Sequence, residues 1–282
     1  MVENRSAPAM ASTYGLSNSW QRARERLDMV EAWLDPGTIR GLEGRGVGEG
    51  WRCLEVGAGG GSIAAWLSAR VGSSGQVLAV DIDTRFLSGL EAANLEVRQA
   101  DIRSDDLPAE SFDLAHCRLL LMHLTESERM AALRRIVAAL RPGGWLVAEE
   151  MHFPAAAVDP SVTPEAGDLF ARLLDAHNEV LAEAGFDAVY GSRLLGELEA
   201  QGLADLEAEG QVCMWRGASV GAAAWRLTFE QLAARMVDGG HVSEGEIAEG
   251  LALFDDPRFR FMSQVTMTVR GRRPGNSPAR VG

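Results

Sequence analysis

The sequence predicts an α/β fold built on a doubly wound, mostly parallel sheet. Between residues 51 and 150, apolar segments of strand length alternate with helical patterns. The first apolar segment ends in a cluster of glycines, and a helical pattern begins directly after it. Strands that alternate with helices are joined by crossovers, so they lie parallel with helices on both faces of the sheet.

The composition is that of an ordinary globular chain with an acidic surface. Its 282 residues are 46% hydrophobic and 24% charged, which suffices for a sizeable core. A net charge of −13 disfavours nucleic acids and anionic membranes as partners. No apolar run reaches the roughly 20 residues that span a bilayer, and the N-terminus lacks the apolar core of a signal peptide. The three cysteines have no metal-ligand spacing, so we expect reduced thiols in a cytoplasmic protein and no metal site.

The N-terminal region is predicted to be a flexible tail over residues 1–17, followed by a helical cap and linker over 18–48. Apolar residues recur at helical spacing from Trp20 onward, which predicts an amphipathic helix. Ser19 is its expected N-cap, and Pro36 marks its expected end.

Residues 49–275 are expected to form one domain with helical insertions at about 160–203 and 220–256. In its first half we expect a strand at 51–56, a helix at 62–70, a strand at 76–81, a short helix at 86–92, strands at 95–99 and 112–117, a helix from a capping box at Thr125 to Leu140, and a strand at 145–150. In its second half we expect helices at 164–185, 192–201, 222–237 and 243–254, and strands at 206–215 and 262–269. Helices over the carboxyl ends of the strands would cover a substrate pocket.

The turn between the first strand and its helix is the most informative segment. Gly57, Gly59 and Gly61 leave the backbone open to a ligand, with Ala58 between the first two. The helix that follows offers free N–H groups and a positive dipole end to an electron-rich group. Glu55 ends the strand, and a carboxylate there is costly unless it meets a cation or hydroxyl groups. We therefore expect a ligand at this turn.

Two further acids follow the next two strands. Asp81 ends the second strand, where a carboxylate can accept hydrogen bonds from both hydroxyls of a ribose. Asp101 follows the third strand and can accept from the exocyclic amine of an adenine, while Ile102 packs on the ring. The dinucleotide fingerprint needs a third glycine where this chain has Ser62, which disfavours a nicotinamide-dependent oxidoreductase.

With these residues in place, the chain resembles the class I S-adenosylmethionine-dependent methyltransferases of small-molecule type over roughly residues 50–151. The resemblance implies a seven-stranded Rossmann-like sheet with an antiparallel last strand. It also implies cofactor contacts from Glu55, from the turn Gly57, Ala58, Gly59 and Gly61, from Asp81 with Ile82, from Asp101 with Ile102, and from the backbone at Cys117. Related enzymes lay an N-terminal helix over the cofactor, so Arg24 could meet the methionine carboxylate from the same helix face as Trp20.

Methyl transfer asks the protein to align the reactants, exclude water and, for a poor nucleophile, remove a proton. His123, in the crossover after the fourth strand, and His152, at the exit of the fifth, are the candidate general bases. His116 is expected to be a packed strand residue, and His177 is a weaker candidate on a covering helix. Structural roles for all four remain open at this point.

We therefore expect a methyltransferase that uses S-adenosyl-L-methionine and acts on a small organic molecule, at oxygen first and nitrogen next, in specialised metabolism. Three alternatives stay open: an NAD-dependent oxidoreductase, a peptide or protein methyltransferase, and a non-catalytic cofactor-binding scaffold. The expected partner is the small-molecule substrate alone, without nucleic acid or membrane, and a homodimer is possible.

Overall fold

A computed structural model describes residues 14–275 of the chain. Its α-helices are α1 (Ala23–Glu43), α2 (Ser62–Val71), α3 (Glu126–Ala139), α4 (Pro164–Ala182), α5 (Leu194–Ala200), α6 (Val220–Asp238) and α7 (Glu244–Asp255). Its strands are β1 (Arg52–Val56), β2 (Gln76–Asp81), β3 (Leu95–Gln99), β4 (Phe112–Arg118), β5 (Leu140–His152), β6 (Ala157–Val158), β7 (Ala204–Gln211), β8 (Met214–Arg216), β9 (Arg260–Met262) and β10 (Val265–Arg272).

Seven strands form the central sheet in the order β3-β2-β1-β4-β5-β10-β7. The strands β1 to β5 pair in parallel, and β10 lies antiparallel between β5 and β7. The order reverses at β1, so the crevice of an open α/β sheet lies beyond the carboxyl ends of β1 and β4. The predicted doubly wound, mostly parallel seven-stranded fold is confirmed.

A second, three-stranded sheet in the order β6-β9-β8 was not predicted. It corrects two of the expected strands. The segment 206–215 is divided between β7 of the large sheet and β8 of the small one, and the last strand begins at Val265 because β9 ends at Met262. A continuous apolar pattern does not reveal where a strand leaves one sheet for another.

The N-terminal region also differs from its prediction. Leu16, at the end of the expected tail, is buried, while residues 1–13 of that tail lie outside the described part. Ser19 bonds to Ser17 instead of capping the helix, which begins at Ala23. The helix then continues through Pro36, because its second half packs on the sheet and its polar side chains bond there. The remaining domain boundaries stay predictions.

Two smaller local predictions had different outcomes. The Thr125–Glu128 capping box at the start of α3 is confirmed. The short helix expected at 86–92 is a single 3-10 turn at Thr84–Phe86, capped by the side chain of Asp83.

A buried polar network fastens α1 to the middle of the sheet. His116 on β4 is fully buried, and its Nδ1 lies 2.7 Å from Glu55 Oε2 on β1. Its Nε2 lies 3.6 Å from Glu149 Oε2 on β5, an ion-pair distance. Thr38 of α1 donates to the same Glu149 carboxylate, and Arg118 donates to Thr38 Oγ1 at 2.8 Å. One imidazole thus stands between two carboxylates under the helix.

Burial opposes a charge on His116, but Glu55 and Glu149 outweigh it and raise the pKa of His116 to about 9. The carboxylate pKa of Glu149 is lowered to about 2, because His116, Arg118 and Thr38 together outweigh its burial. The folded protein therefore holds a charged imidazole at neutral pH.

We predict that this network stabilises the fold most below pH 6.5, the unfolded value of the imidazole, and that its contribution is lost as the pH rises through about 9. His116→Gln should cost about 3–5 kcal/mol of unfolding free energy at pH 6.5, because it leaves two buried carboxylates without their cation. Urea unfolding at pH 6.5, 8 and 9.5 should show the difference from the native protein shrinking with pH.

The matched control is His241→Gln, which removes a partly exposed histidine beside Glu179 and should leave the pH profile as it is in the native protein. A difference for His116→Gln that stays constant or grows between pH 6.5 and 9.5 would contradict a charged His116.

Candidate active site

One large cavity, with a volume of about 520 Å³, opens beyond the carboxyl ends of β1, β2, β3 and β4. Its roof consists of residues 14, 16 to 19, parts of α1, and residues of α4 and α6. The cavity runs from the glycine turn and the acids that follow β2 and β3 to a group of aromatic side chains under α6.

The glycine turn forms one wall, with Gly57, Ala58, Gly59 and Gly60 at its surface. Gly57 and Gly59 have φ values of +73° and +56°, which a side chain would strain. Gly61 does not line the cavity, contrary to its expected role. A Cβ there would lie 2.5 Å from Leu90 Cδ1, so this glycine is needed for packing.

Glu55 lines the cavity, but its carboxylate already has a cation in His116. A cation within the protein therefore accounts for the acid at this position, where the sequence analysis had expected a ligand. The cation is internal, two residues before Arg118 on the neighbouring strand. A histidine in the next parallel strand was the signal for it in the sequence.

Asp81 and Asp101 lie where the sequence placed them, at the same end of the cavity. The carboxylate of Asp81 accepts from the N–H groups of Gly59 and Asp83, both at 2.9 Å, while burial raises its pKa. The carboxylate of Asp101 is paired with Arg103 at 2.8 Å, and this hydrogen bond lowers its pKa. Each carboxylate oxygen has two acceptor positions, so Asp81 keeps one on each oxygen for a ligand. Both oxygens of Asp101 already accept two bonds each from Arg103, so a ligand at Asp101 would have to displace part of that pairing.

Ile82 and Ile102 also line this end of the cavity. Cys117 does not line the cavity, so the structure does not support the cofactor contact expected from its backbone. Its backbone lies within the sheet, paired with Val56 on one side and Ala148 on the other. The chain reaches the cavity one residue later, at Arg118.

Glu150 supports the loop after β4, a role that the sequence analysis missed. Its carboxylate is fully buried and accepts from the N–H groups of Leu120 at 3.2 Å and Leu121 at 2.7 Å. Burial raises its pKa to about 8. Because Leu120 and Met122 line the cavity, Glu150 fixes the wall that faces the glycine turn.

Neither Trp20 nor Arg24 lines the cavity. Arg24 is exposed and donates to Asp28 at 2.8 Å and to the carbonyl of Gly60 at 3.1 Å, so it holds the helix against the outside of the turn. The arginine of α1 that does reach the cavity is Arg26. It lies on the apolar face of the helix between Ala23 and Val30. A charged residue at an apolar position of the helical pattern was therefore a signal in the sequence.

The two candidate bases are separated by the structure. His123 lines the cavity, where burial, the charge of Arg26 and the charge of His177 lower its pKa to about 3. His152 does not line the cavity, whereas the next residue, Phe153, does. His177 lines the cavity too, and burial lowers its pKa to about 4. Both cavity histidines are therefore neutral and weakly basic.

An aromatic wall closes the end of the cavity under α6. The ring of His177 stacks on Phe153 with centroids 5.3 Å apart and meets Trp225 at 5.5 Å. Phe186 packs edge-on against His177 at 5.7 Å. Tyr14 completes the wall from the roof, with its ring 4.9 Å from that of His123. The sequence gave no sign of Phe186, which follows the end of α4.

Comparisons with known proteins agree with this architecture. Residues 53–144 match the family model described as a methyltransferase domain. The chain is 34% identical to the ubiquinone/menaquinone biosynthesis C-methyltransferase UbiE of Pseudomonas putida over 121 residues, which are 40% of this chain and 46% of that protein. It therefore spans about half the length of the curated relatives that it matches first. Methyltransferase str3 of Strobilurus tenacellus is 27% identical over 69% of this chain and 68% of its own.

Among solved structures, the chain resembles a phosphoethanolamine N-methyltransferase 2 of Haemonchus contortus bound to S-adenosylhomocysteine and phosphomonomethylethanolamine. The TM-score is 0.58 at 15% identity, and the match covers 96% of this chain and 62% of that one. This likeness concerns the fold. Residues 53–144 therefore carry a methyltransferase domain, on a fold that resembles that of the solved methyltransferase.

Proposed function

We propose that the protein transfers a methyl group from S-adenosyl-L-methionine to an oxygen atom of a small organic acceptor. The observation that carries this proposal is the continuity of the cavity. A polar end with the glycine turn and two acids opens directly into an end walled by aromatic side chains. A cofactor and an acceptor could thus lie side by side in one enclosed space.

The polar end fits an adenosyl group. Asp81 retains acceptor positions for ribose hydroxyls, and an adenine amine would bind Asp101 by displacing part of its contact with Arg103. Ile82 and Ile102 supply apolar surface at the same end. Gly59 leaves open space, since the nearest atoms to a Cβ built there lie 4.0 Å away. Bound there, the cofactor would supply an activated methyl group on sulfur.

The roof of the cavity favours a small acceptor over a peptide. Residues 14 to 19 lie across the opening and are fastened there by Arg235, which donates to the carbonyl of Gly15 at 2.9 Å, and by Gln231, which donates to the carbonyl of Ser17 at 2.8 Å. A peptide substrate would need an open groove at this place. The proposed acceptor is accordingly a molecule that the cavity encloses.

The histidines favour an acidic oxygen as the receiving atom. With pKa values of about 3 and 4, His123 and His177 are poor acceptors for the proton of an alcohol or an ammonium ion. A carboxyl group needs no such help because it is already ionised at neutral pH, and a phenol, with a pKa of about 10, needs less help than an alcohol. His123 remains the candidate for orienting that oxygen through a hydrogen bond, and His152 is not part of the proposal because it lies outside the cavity.

C-methylation is a second candidate, favoured by the name of the Pseudomonas putida relative. An activated aromatic carbon would suit the aromatic wall equally well. The position of the new methyl group in the product separates the two candidates.

The wider setting is also proposed. Reduced cysteines support a cytoplasmic protein. Separately, none of the helices within residues 14–275 has the length and hydrophobicity that a membrane span requires. The acidic charge supports a protein without a nucleic-acid partner. A role in specialised metabolism and a homodimer complete the proposal.

The first prediction concerns Asp81. Asp81→Ala should weaken the binding of S-adenosylhomocysteine by about 1–3 kcal/mol, because ribose hydroxyls would be buried without their acceptor. Isothermal titration calorimetry measures this change. The control is Glu96→Gln, an exposed acid on β3 outside the cavity, which should bind as the native protein does. Equal affinities for the native protein and Asp81→Ala would remove the ribose assignment.

The second prediction concerns the reaction. S-adenosylmethionine labelled in its methyl group, offered with phenols, aryl carboxylic acids and aryl amines, should give labelled product with an oxygen nucleophile, located by NMR. Label on carbon would establish the second candidate instead. Binding of NAD without any binding of S-adenosylhomocysteine would reverse the proposal in favour of an oxidoreductase, and cofactor binding without transfer to any acceptor would favour the scaffold.

A further inference from the structure

Arg26 is a buried cation without a partner. Its residue is 4% exposed, and it lines the cavity from α1. Its Nε and Nη2 atoms are buried and make no hydrogen bond. Among residues 14–275, no carboxylate lies within ion-pair distance of it. A buried guanidinium in this state costs several kcal/mol unless something neutralises it.

The other arginines that line the cavity are all paired. Arg85 meets Asp83 at 2.8 Å, Arg103 meets Asp101 at 2.8 Å, and Arg118 meets Asp35 at 2.9 Å. The cavity therefore carries one positive charge that awaits a negative partner. A single unpaired cation matches a single carboxylate better than a doubly charged phosphate.

The position of Arg26 on α1 separates it from the glycine turn. One face of the helix meets that turn: Arg24 bonds to Gly60, and the carboxylate of Glu31 accepts from the N–H of Ser62 at 3.4 Å. A neighbouring face meets α6, where Arg22 donates to Glu230 at 2.6 Å. Arg26 follows Arg22 by one helical turn, so it shares the face toward α6.

That face looks toward the aromatic end of the cavity. The charge of Arg26 is felt by His123, whose ring packs against Tyr14 and Phe186. A second polar atom without a partner lies at the same end, since the buried Nε1 of Trp225 makes no hydrogen bond. Two residues with unused donors thus lie in the wall of the aromatic end of the cavity, and a small side-chain shift would bring these buried donors to its surface.

We propose that Arg26 binds the carboxylate of the methyl acceptor, so that the acceptor is a small acid with an aromatic or otherwise apolar body. This inference rests on the proposed function and names its substrate class. The planar fork of the guanidinium holds the carboxylate, the aromatic wall covers the apolar body, and Trp225 supplies one more hydrogen bond to an oxygen. An acceptor that lacks the acid leaves the buried cation unpaired and is rejected.

The test uses the full chain saturated with S-adenosylhomocysteine and three pairs of probes: benzoate and benzamide, 2-naphthoate and 2-naphthamide, and indole-3-acetate and indole-3-acetamide. Within each pair the shape is nearly the same and only the charge differs. In the native protein at least one acid should bind ten times or more tighter than its amide, as measured by calorimetry. If none of the three acids binds more tightly than its amide, the proposal is overturned.

Arg26→Gln should abolish that preference, and Arg26→Lys should retain part of it, because the charge is kept and the fork is lost. Arg22→Gln is the matched control, four residues earlier at the N-cap of α1 and outside the cavity, and should keep the full preference. Arg26→Gln should also unfold at the same or a higher temperature without ligand, because it removes an uncompensated buried charge. Arg26 would have a structural role instead if Arg26→Gln lowered the melting temperature while both Arg26→Gln and Arg26→Lys kept the preference for the acid.

The carboxylate of the cofactor's methionine is the rival source of the anion. If Arg26 served it, Arg26→Gln would weaken S-adenosylhomocysteine tenfold or more and leave 5′-methylthioadenosine, which lacks the amino acid, unchanged. That result would overturn the proposal. Absence of S-adenosylhomocysteine binding by the native protein would instead contradict the proposed function itself, so the two failures are distinguishable.

Discussion

The placement of His116 between Glu55 and Glu149 is the interaction on which the site depends. It joins β1, β4 and β5, three neighbouring strands in the middle of the sheet, and reaches α1 through Thr38 and Arg118. Burying these charges is favourable only because each has its opposite beside it. The helix that supplies part of the cavity wall is thereby fixed to the strands that supply the rest.

The two ends of the cavity treat charge in different ways. At the polar end every cavity arginine has its own carboxylate, and the acids are further bonded to the backbone, so their geometry is set before a ligand binds. At the aromatic end one cation is left without a partner and two histidines are held neutral. The first end is pre-organised for recognition, whereas the proposed acceptor would supply the missing negative charge at the second.

Much of the fold followed from local pattern. The strands from β1 to β4, the helices α2, α3 and α4, and the acids at the strand ends were all predictable, since parallel strands and glycine turns leave strong local signals. The division of 206–215 between two sheets and the passage of α1 through Pro36 were not, because tertiary packing decides both. In the site, the sequence analysis chose Arg24 of α1, whereas Arg26 lines the cavity. It also chose Cys117, whereas the chain reaches the cavity at Arg118. The direction in which a side chain on a helix or at a strand end faces depends on contacts with residues far away in the sequence.

The segment that roofs the cavity has a consequence for turnover. Residues 14 to 19 are tied down by a few single hydrogen bonds from Arg235, Gln231 and Arg85 to backbone carbonyls, and by the contact of Tyr14 with His123. Such fastenings break far more readily than the buried network beneath the sheet. In the proposed reaction, the used cofactor and the product would leave by displacing residues 14 to 19. The residence time of the product, and with it the turnover rate, would then depend on how often residues 14 to 19 move away from the cavity and return.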